Sequence, residues 1–500
     1  MATTKPRQCW ECRRRRLVCD FTRPQCRKCQ VRGVACPGYE GNKPLKWLQP
    51  QQINSKGPVK MAVALSRPLQ PETGREMTAV LEAIEYYNVH IAPDLVATGA
   101  TGPRSPYFMP RSTAPYLPQA FNESIVCTSL CHRILQSRDA PPSDQLVLAR
   151  RLQRHRGEAL RALTGDLAKP EGQSSDLTLA SVLLLLLVEI QQSFEPPNWR
   201  QHCNGAAAMM EMRGGLGDLV LSRPYLRHLF RYYALIEIIG ATTSPQVDIV
   251  WARSQLELVA LLPVLLGKGL DTCFPCPPDL LVEIIHINHL RSVFQGFSVP
   301  PDTDPTLLKE GRETAALHVL RRIRAFSVDR WATEVAVALS SHERAESRVD
   351  LSGWQAIGLI YQSAIAIYCI SSLFQDTVSL DAASYNPKDM MHPNSVSPSK
   401  HMLAKARQHC ASVLFNRLQQ VSKTTQLRKL VIWPLVIAGI GAEDDTTKRF
   451  VVDELRWISN ALGTAVPLVA KDLLENRVWG LSKRDKAWND LFDQPYVFVL

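Results

Sequence analysis

The sequence predicts two unequal parts, a small metal-stapled module of two short helix–strand halves and a large all-α domain behind it. Three observations carry this. Six cysteines in the first 36 residues repeat one spacing twice, Cys9-x2-Cys12-x6-Cys19 and Cys26-x2-Cys29-x6-Cys36. From Glu72 onward apolar residues recur at three- and four-residue intervals and no sustained alternation appears. Residues 1–60 hold 14 Lys/Arg against three Asp/Glu, the whole +11 excess of a chain with 58 basic and 47 acidic residues.

The cysteine repeat reads as a ligand set. Two intervening residues let a pair of thiolates reach one ion across a tight turn, and six more place the third thiolate about two helical turns on. Thiolates are soft ligands that suit zinc, which takes four in a tetrahedron. Two ions served by six sulfurs require two shared ones, so the symmetric repeat of Cys9, Cys12, Cys19, Cys26, Cys29 and Cys36 implies a binuclear cluster of two zinc ions. Other readings fit less well. A disulfide framework needs an oxidising compartment, and the start, Met1 to Arg7, has no apolar core or cleavage site of a secretory signal. A mononuclear ribbon or an iron–sulfur cluster would leave Cys19 and Cys36 unused.

Arg13, Arg14, Arg15 and Arg16 follow Cys12 directly. On a metal-stapled helix, four guanidinium groups fan out toward phosphates and base edges, and the guanidinium fork matches O6 and N7 of guanine. Arg27, Lys28 and Arg32 of the second half are placed to hold phosphates. Positive charge concentrated on one short module marks a polyanionic partner, here double-stranded DNA.

After Cys36 the chain is rich in proline and glycine, from Pro37 and Gly38 to Pro68 and Pro71, and reads as a linker. Its Lys43-Pro-Leu-Lys46-Trp-Leu stretch offers two more cations to a phosphate backbone or forms a plain tether. The prolines forbid a coiled coil here, so the chain acts as a monomer or pairs through the helical domain. Helical periodicity then assigns 72–91, 144–168, 176–194, 199–213, 224–240, 251–267, 278–296, 306–326, 353–376, 400–422, 427–441, 446–463 and 466–476. Loops fall at 93–118, 266–278, 297–305 and 377–399. The apolar run 179–188 is too short for a bilayer, reads as core, and no membrane partner is expected.

Residues 9–36 resemble the fungal binuclear zinc cluster DNA-binding domain: all six cysteines match, Pro24 falls at its loop proline, and Asp20 fits its pattern. The resemblance implies that Cys9 and Cys26 bridge the two ions and that Arg15 and Arg16 read a GC-rich triplet. Val18 departs from the lysine common before the third cysteine, and Arg13 and Arg14 are the residues available to replace that contact. Residues 179–215, with Trp199, His202, Ala206 and Gly214-Gly215, resemble the fungal-specific transcription factor regulatory domain, and the whole is similar to regulators of the acriflavine-sensitivity control type. The family implies a nuclear, RNA polymerase II-type regulator that works with transcription machinery or co-regulators, with a small-molecule effector among its expected partners. Its target set would be metabolic, secondary-metabolite or drug-response genes.

The expected organisation is a zinc module at 1–38, a basic linker at 39–74 and an all-helical regulatory domain at 75–500. No His-Glu-x-x-His, Walker loop or Gly-x-Ser-x-Gly elbow is present, so no enzyme is expected. His202 beside Cys203, the Cys273-Phe-Pro-Cys276 loop, and Cys127 with Cys131 read as packed residues. The acidic–aromatic stretch Asp485–Asp493 reads as the closing segment of the domain, with recruitment of co-activators as the other reading. The competing function is a zinc-containing nucleic-acid or chromatin scaffold without base specificity.

Overall fold

Contacts divide the chain into two units, Met1–Pro68 and Leu69–Leu500. The computed structural model describes residues 9, 11–12, 18–22, 25–34, 36, 71–137, 141–192, 199–296, 305–340, 350–374, 398–481 and 487–499. Among the described residues of the first unit Glu11 and Cys12 are helical, and a helix, α1 (Arg27–Val31), starts at Cys26, whose sulfur accepts the Cys29 N–H. Of the expected helix–strand halves the helix is present, and no strand occurs among the described residues. The Arg32 and Val34 amides both return to the Cys29 carbonyl, and Gly33 turns at φ 62°, so the chain curls back where a strand would extend.

The regular structure of the second unit is all helical among the described residues. In chain order it contains α2 (Pro71–His90), α3 (Gln119–Gln136), α4 (Pro142–Leu167), α5 (Asp176–Gln192), α6 (Trp199–Glu211), α7 (Gly215–Ser222), α8 (Arg227–Thr242), α9 (Ile249–Leu258), α10 (Leu262–Leu266) and α11 (Pro278–Gly296). There follow α12 (Pro305–Ala325), α13 (Val328–Ser340), α14 (Leu351–Leu373), α15 (Pro398–Val421), α16 (Ile432–Ile440), α17 (Asp445–Leu462) and α18 (Val466–Asn476), with short 3-10 turns between. Local chemistry sets the starts: Asp248, Asp350 and Asp444 each accept an N–H of the first turn of α9, α14 and α17. Gly214, at φ 92°, separates α6 from α7, the break expected of the Gly-Gly pair.

Three helices fall where the periodicity assigns none, the short α7 and two longer ones. The first of the longer two, α3, buries polar Asn122, Glu123, Ser124, Thr128, Ser129 and His132 together with apolar Ile125, Val126 and Leu130. A helix buried nearly all round shows no polar stripe, so its period is hidden. The second, α13, buries Val328, Trp331, Ala332 and Val335 at ordinary helical spacing, a signal the sequence does carry. The stretch read as one helix over 251–267 is two, because Pro263 begins a new helix and cannot continue the old one.

The core is organised round α14, which packs against α11, α12, α13, α15 and α16. It is long and apolar enough to cross a bilayer, yet 83% of its most apolar window is buried inside the protein, which makes it the central helix of the fold. Tyr361 and Tyr368 of α14 meet Phe274, Trp433 and Trp488 with ring centroids 5.0–6.3 Å apart. The Leu179–Val188 run lies in the core as expected.

Arg291 of α11 joins this core to the chain's end. It is 2% exposed. Its guanidinium donates to the carbonyls of Ala241, Thr242 and Ser244, to Tyr368 Oη and to Asn489 Oδ1, at 2.7–3.4 Å. Ala241 and Thr242 end α8, so a cation sits where helix carbonyls lack internal partners. The segment 487–499 is threaded into the same region. Trp488 Nε1 donates to Thr242 O, Tyr496 N to Thr243 O, and Trp199 Nε1 to Pro495 O. Trp488, Leu491 and Phe492 are at most 2% exposed, so the described part of the acidic–aromatic stretch, from residue 487 on, packs into the domain.

Replacing Arg291 by leucine removes five hydrogen bonds and takes the guanidinium donors from the Ala241 and Ser244 carbonyls, while Thr242 O keeps Trp488. A loss of about 3–5 kcal/mol in denaturant unfolding is expected. Gly240→Ala would place a Cβ 2.6 Å from the Trp199 ring and 3.1 Å from Val497. Because the indole is held by its bond to Pro495, a cost of about 1–3 kcal/mol follows, read as a lower thermal midpoint.

Candidate metal centre and nucleic-acid interface

The two cysteine repeats fold the same way. Cys12 N–H points at Cys9 Sγ (3.4 Å) and Cys29 N–H at Cys26 Sγ (3.3 Å), so each leading sulfur caps a helical turn. Backbone donors aimed at sulfur favour its anion. The folded chain then brings the repeats together: Cys9 Sγ lies 3.6 Å from Cys26 Sγ and 3.9 Å from Cys29 Sγ, and Cys12 Sγ lies 3.7 Å from Cys26 Sγ. Sulfurs bound at about 2.3 Å round a tetrahedral zinc stand about 3.8 Å apart. The observed separations match that edge, and all thirteen cysteines of the chain are free.

The cysteine set is also asymmetric in a useful way. Cys9, Cys12, Cys26 and Cys29 form one group with all donor atoms within 4.8 Å, and Cys26 belongs as well to a second group with Cys19 and Asp20. Cys26 therefore stands between two clusters of donors. Cys36 packs beside the buried five and is partly exposed.

Charge compensation points to a cation. Burial pushes the Cys9 and Cys12 thiols up, and the Cys29 thiol up to about 12, so on their own they hold their protons. A bound dication lets such sulfurs ionise, which couples metal capture to folding. The residues present therefore fit the zinc ions that their spacing implies.

Asp20 links the halves. Its Oδ2 accepts the Thr22 hydroxyl at 2.5 Å and the Arg27 N–H at the start of α1 at 3.0 Å. These bonds, the hydroxyl first, hold its carboxyl below the ordinary range. Phe21 between Asp20 and Thr22 adopts a left-handed φ of 55°, which turns the carboxylate back toward α1. Thr22 and Phe21 carry no sequence signal of this role, because it depends on Arg27 arriving from the other repeat.

Arg27, Lys28 and Arg32 are exposed on α1 and its end, where a phosphate could reach them. Val18 is 77% exposed. Arg13, Arg14, Arg15 and Arg16, with Pro24, Lys43 and Lys46, lie outside the described residues.

In the helical unit the cysteines and histidines of interest are packed. Cys203 is fully buried and its thiol is pushed far up by burial, which unsuits it as a nucleophile. Cys273 contacts Tyr232 Oη at 3.5 Å, and Cys276 donates to the Pro277 carbonyl. Glu123, His155 and Glu158 also converge. However, Arg154 faces His155 Nε2 at 3.1 Å and His155 Nδ1 lies 2.6 Å from Glu123 Oε2, so the imidazole nitrogens already have protein partners. That is a buried hydrogen-bonded pair.

Comparison with known proteins agrees with the two units. Residues 7–46 match the fungal Zn(2)-Cys(6) binuclear cluster domain, and residues 82–485 match the fungal specific transcription factor domain. The chain is 29% identical over 516 aligned positions to a phomenoic acid biosynthesis cluster-specific transcriptional regulator of Leptosphaeria maculans, covering 99% of this chain and 90% of that protein. Over 49 residues it is 37% identical to the arginine metabolism regulation protein II of Saccharomyces cerevisiae, covering 10% of this chain and 5% of that one. No solved structure matches it.

Asp20→Ala removes the tie between the halves and is expected to weaken zinc retention about 10-fold in chelator competition, as loss of an outer-shell partner does. Asp20→Asn keeps one acceptor for the Arg27 amide and should recover most of that loss.

Proposed function

The chain belongs to the fungal-specific transcription factor family with an N-terminal binuclear zinc cluster, and on that premise we propose that it reads a short GC-rich site in the DNA major groove. It is a zinc-dependent transcription regulator that binds two zinc ions and DNA, and its family is one of regulators, not of enzymes. The observation that carries the proposal is the set of sulfur separations of 3.6–3.9 Å between Cys9, Cys12, Cys26 and Cys29. They hold two repeats 17 residues apart in the geometry of a shared metal edge.

In this reading Cys9, Cys12, Cys19, Cys26, Cys29 and Cys36 are the ligands, with Cys9 and Cys26 shared. The bound zinc supplies cross-linking and charge neutralisation. The chain's own residues do the recognition: Arg15 and Arg16 donate to guanine O6 and N7, with Arg13 and Arg14 beside them. Arg27, Lys28 and Arg32 fix the register on phosphates, while Lys43 and Lys46 extend that contact along the backbone. The module spans 1–38, the linker 39–74, and the regulatory domain 75–500, which senses an effector or a co-regulator. The protein works in the nucleus on RNA polymerase II promoters. The name of its 29% identical relative makes a biosynthetic gene cluster the target set we favour.

Arg15→Ala and Arg16→Ala, tested by competition between cognate and mismatched duplexes, should each cost about 1–3 kcal/mol at the triplet and relax its preference there. Uniform weakening on every duplex would instead support a scaffold without base specificity.

A further inference from the structure

Helix α4 carries an exposed arginine face that the fold engages only at Arg154. The helix buries Leu152, His155, Ala159 and Leu163. On the opposite side Arg150, Arg154, Gly157, Arg161 and Gly165 follow one another at spacings of four, three, four and four, one line along the surface, with Arg151 beside it. All four of these arginines are exposed. Among the described residues Arg150, Arg151 and Arg161 have no ion pair, and Arg154, 63% exposed, touches its neighbour His155 at 3.1 Å and reaches Glu158 at 3.9 Å. Arg156 points elsewhere and is tied to Glu189 by two bonds. Residues 61–500 carry equal numbers of basic and acidic side chains, so this face is a local concentration in an otherwise balanced domain.

The two glycines are an independent sign. Within a helix each costs about 1 kcal/mol relative to alanine. Nothing lies within 4 Å of where a Cβ would stand at Gly157 or Gly165, so internal packing requires neither. They leave bare backbone between and beyond the arginines, where a regular polyanion can approach closely. From Arg150 to Arg161 the line runs about 16 Å, enough to meet several phosphates of a duplex.

We propose that this face of α4 is a second DNA contact, holding phosphates that flank the site read by the cysteine module. DNA is favoured over an acidic protein because the same chain captures DNA and so presents it at high effective concentration, where a modest electrostatic surface suffices. The contact is sequence-independent and rests on the DNA-binding reading of the module.

The test uses the full chain loaded with zinc and two duplexes, one limited to the core site and one with long flanks of unrelated sequence. The variant is Arg150→Gln/Arg154→Gln/Arg161→Gln. A control carries Arg330→Gln/Arg449→Gln/Arg456→Gln, three arginines exposed on other helices. On the long duplex the first variant should lose up to about 2.7 from the slope of log affinity against log salt, shrinking the gain between 200 and 50 mM salt about 40-fold. The control should keep the parent slope. Equal slopes for parent and variant on the long duplex overturn the proposal, and a simultaneous fall in reporter transcription would assign the face to an acidic protein. The short duplex reports on the cysteine module separately, so zinc-dependent binding there distinguishes failure of the second contact from failure of the first.

Discussion

A buried charge must be answered by the chain around it, and in the helical unit Arg291 is where that requirement is most demanding. It is 2% exposed and has no carboxylate against it among the described residues. Three carbonyls at and beyond the end of α8, a tyrosine hydroxyl of α14 and the Asn489 amide share the compensation. A cation at the end of α8 complements the helix dipole, so the helices must arrive in one arrangement or leave the charge unpaired. The central helix, the end of α8 and the C-terminal segment are therefore positioned by one residue. The bidentate pairs Arg156–Glu189, Arg322–Glu283 and Arg428–Glu454 apply the same rule with opposite charges, the first two joining two helices and the third tying the turn Thr425–Arg428 to α17.

The cysteine module meets this requirement with the sign reversed. Five of its sulfurs are at most 3% exposed in a unit too small to offer a large apolar core. Burial pushes the Cys9, Cys12 and Cys29 thiols up, and the backbone donor on Cys9 only partly offsets the cost. Zinc completes the compensation, which couples metal binding to folding here. The basic side chains on α1 can then face outward, since the metal rather than a core of side chains holds the helix in place.

Much of this was legible in the residues. The Cys-x2-Cys-x6-Cys repeat revealed the metal because its spacing is set within one turn of chain, and tertiary context cannot alter it. Helices with one apolar face, such as α2 and α17, showed in their period for the same reason. The helix α3 did not, because its polar residues are satisfied inside the core, as Ser129 is by the Ala83 carbonyl. Asp485–Asp493 had two readings in sequence, and the burial of Trp488 and Phe492 supports the closing-segment one, Asp485 itself lying outside the described residues.

By itself the sequence determined the ligand chemistry, the partner's charge and the helical class, since each follows from residue type and short-range spacing. Only the tertiary structure decided which sulfurs face one another, that Asp20 ties the start of α1, that Arg291 is buried among carbonyls, and that α4 presents a clear arginine line to solvent. These depend on residues tens to hundreds of positions apart meeting in space. Their partners are chosen by the packing of whole helices, which no local pattern encodes.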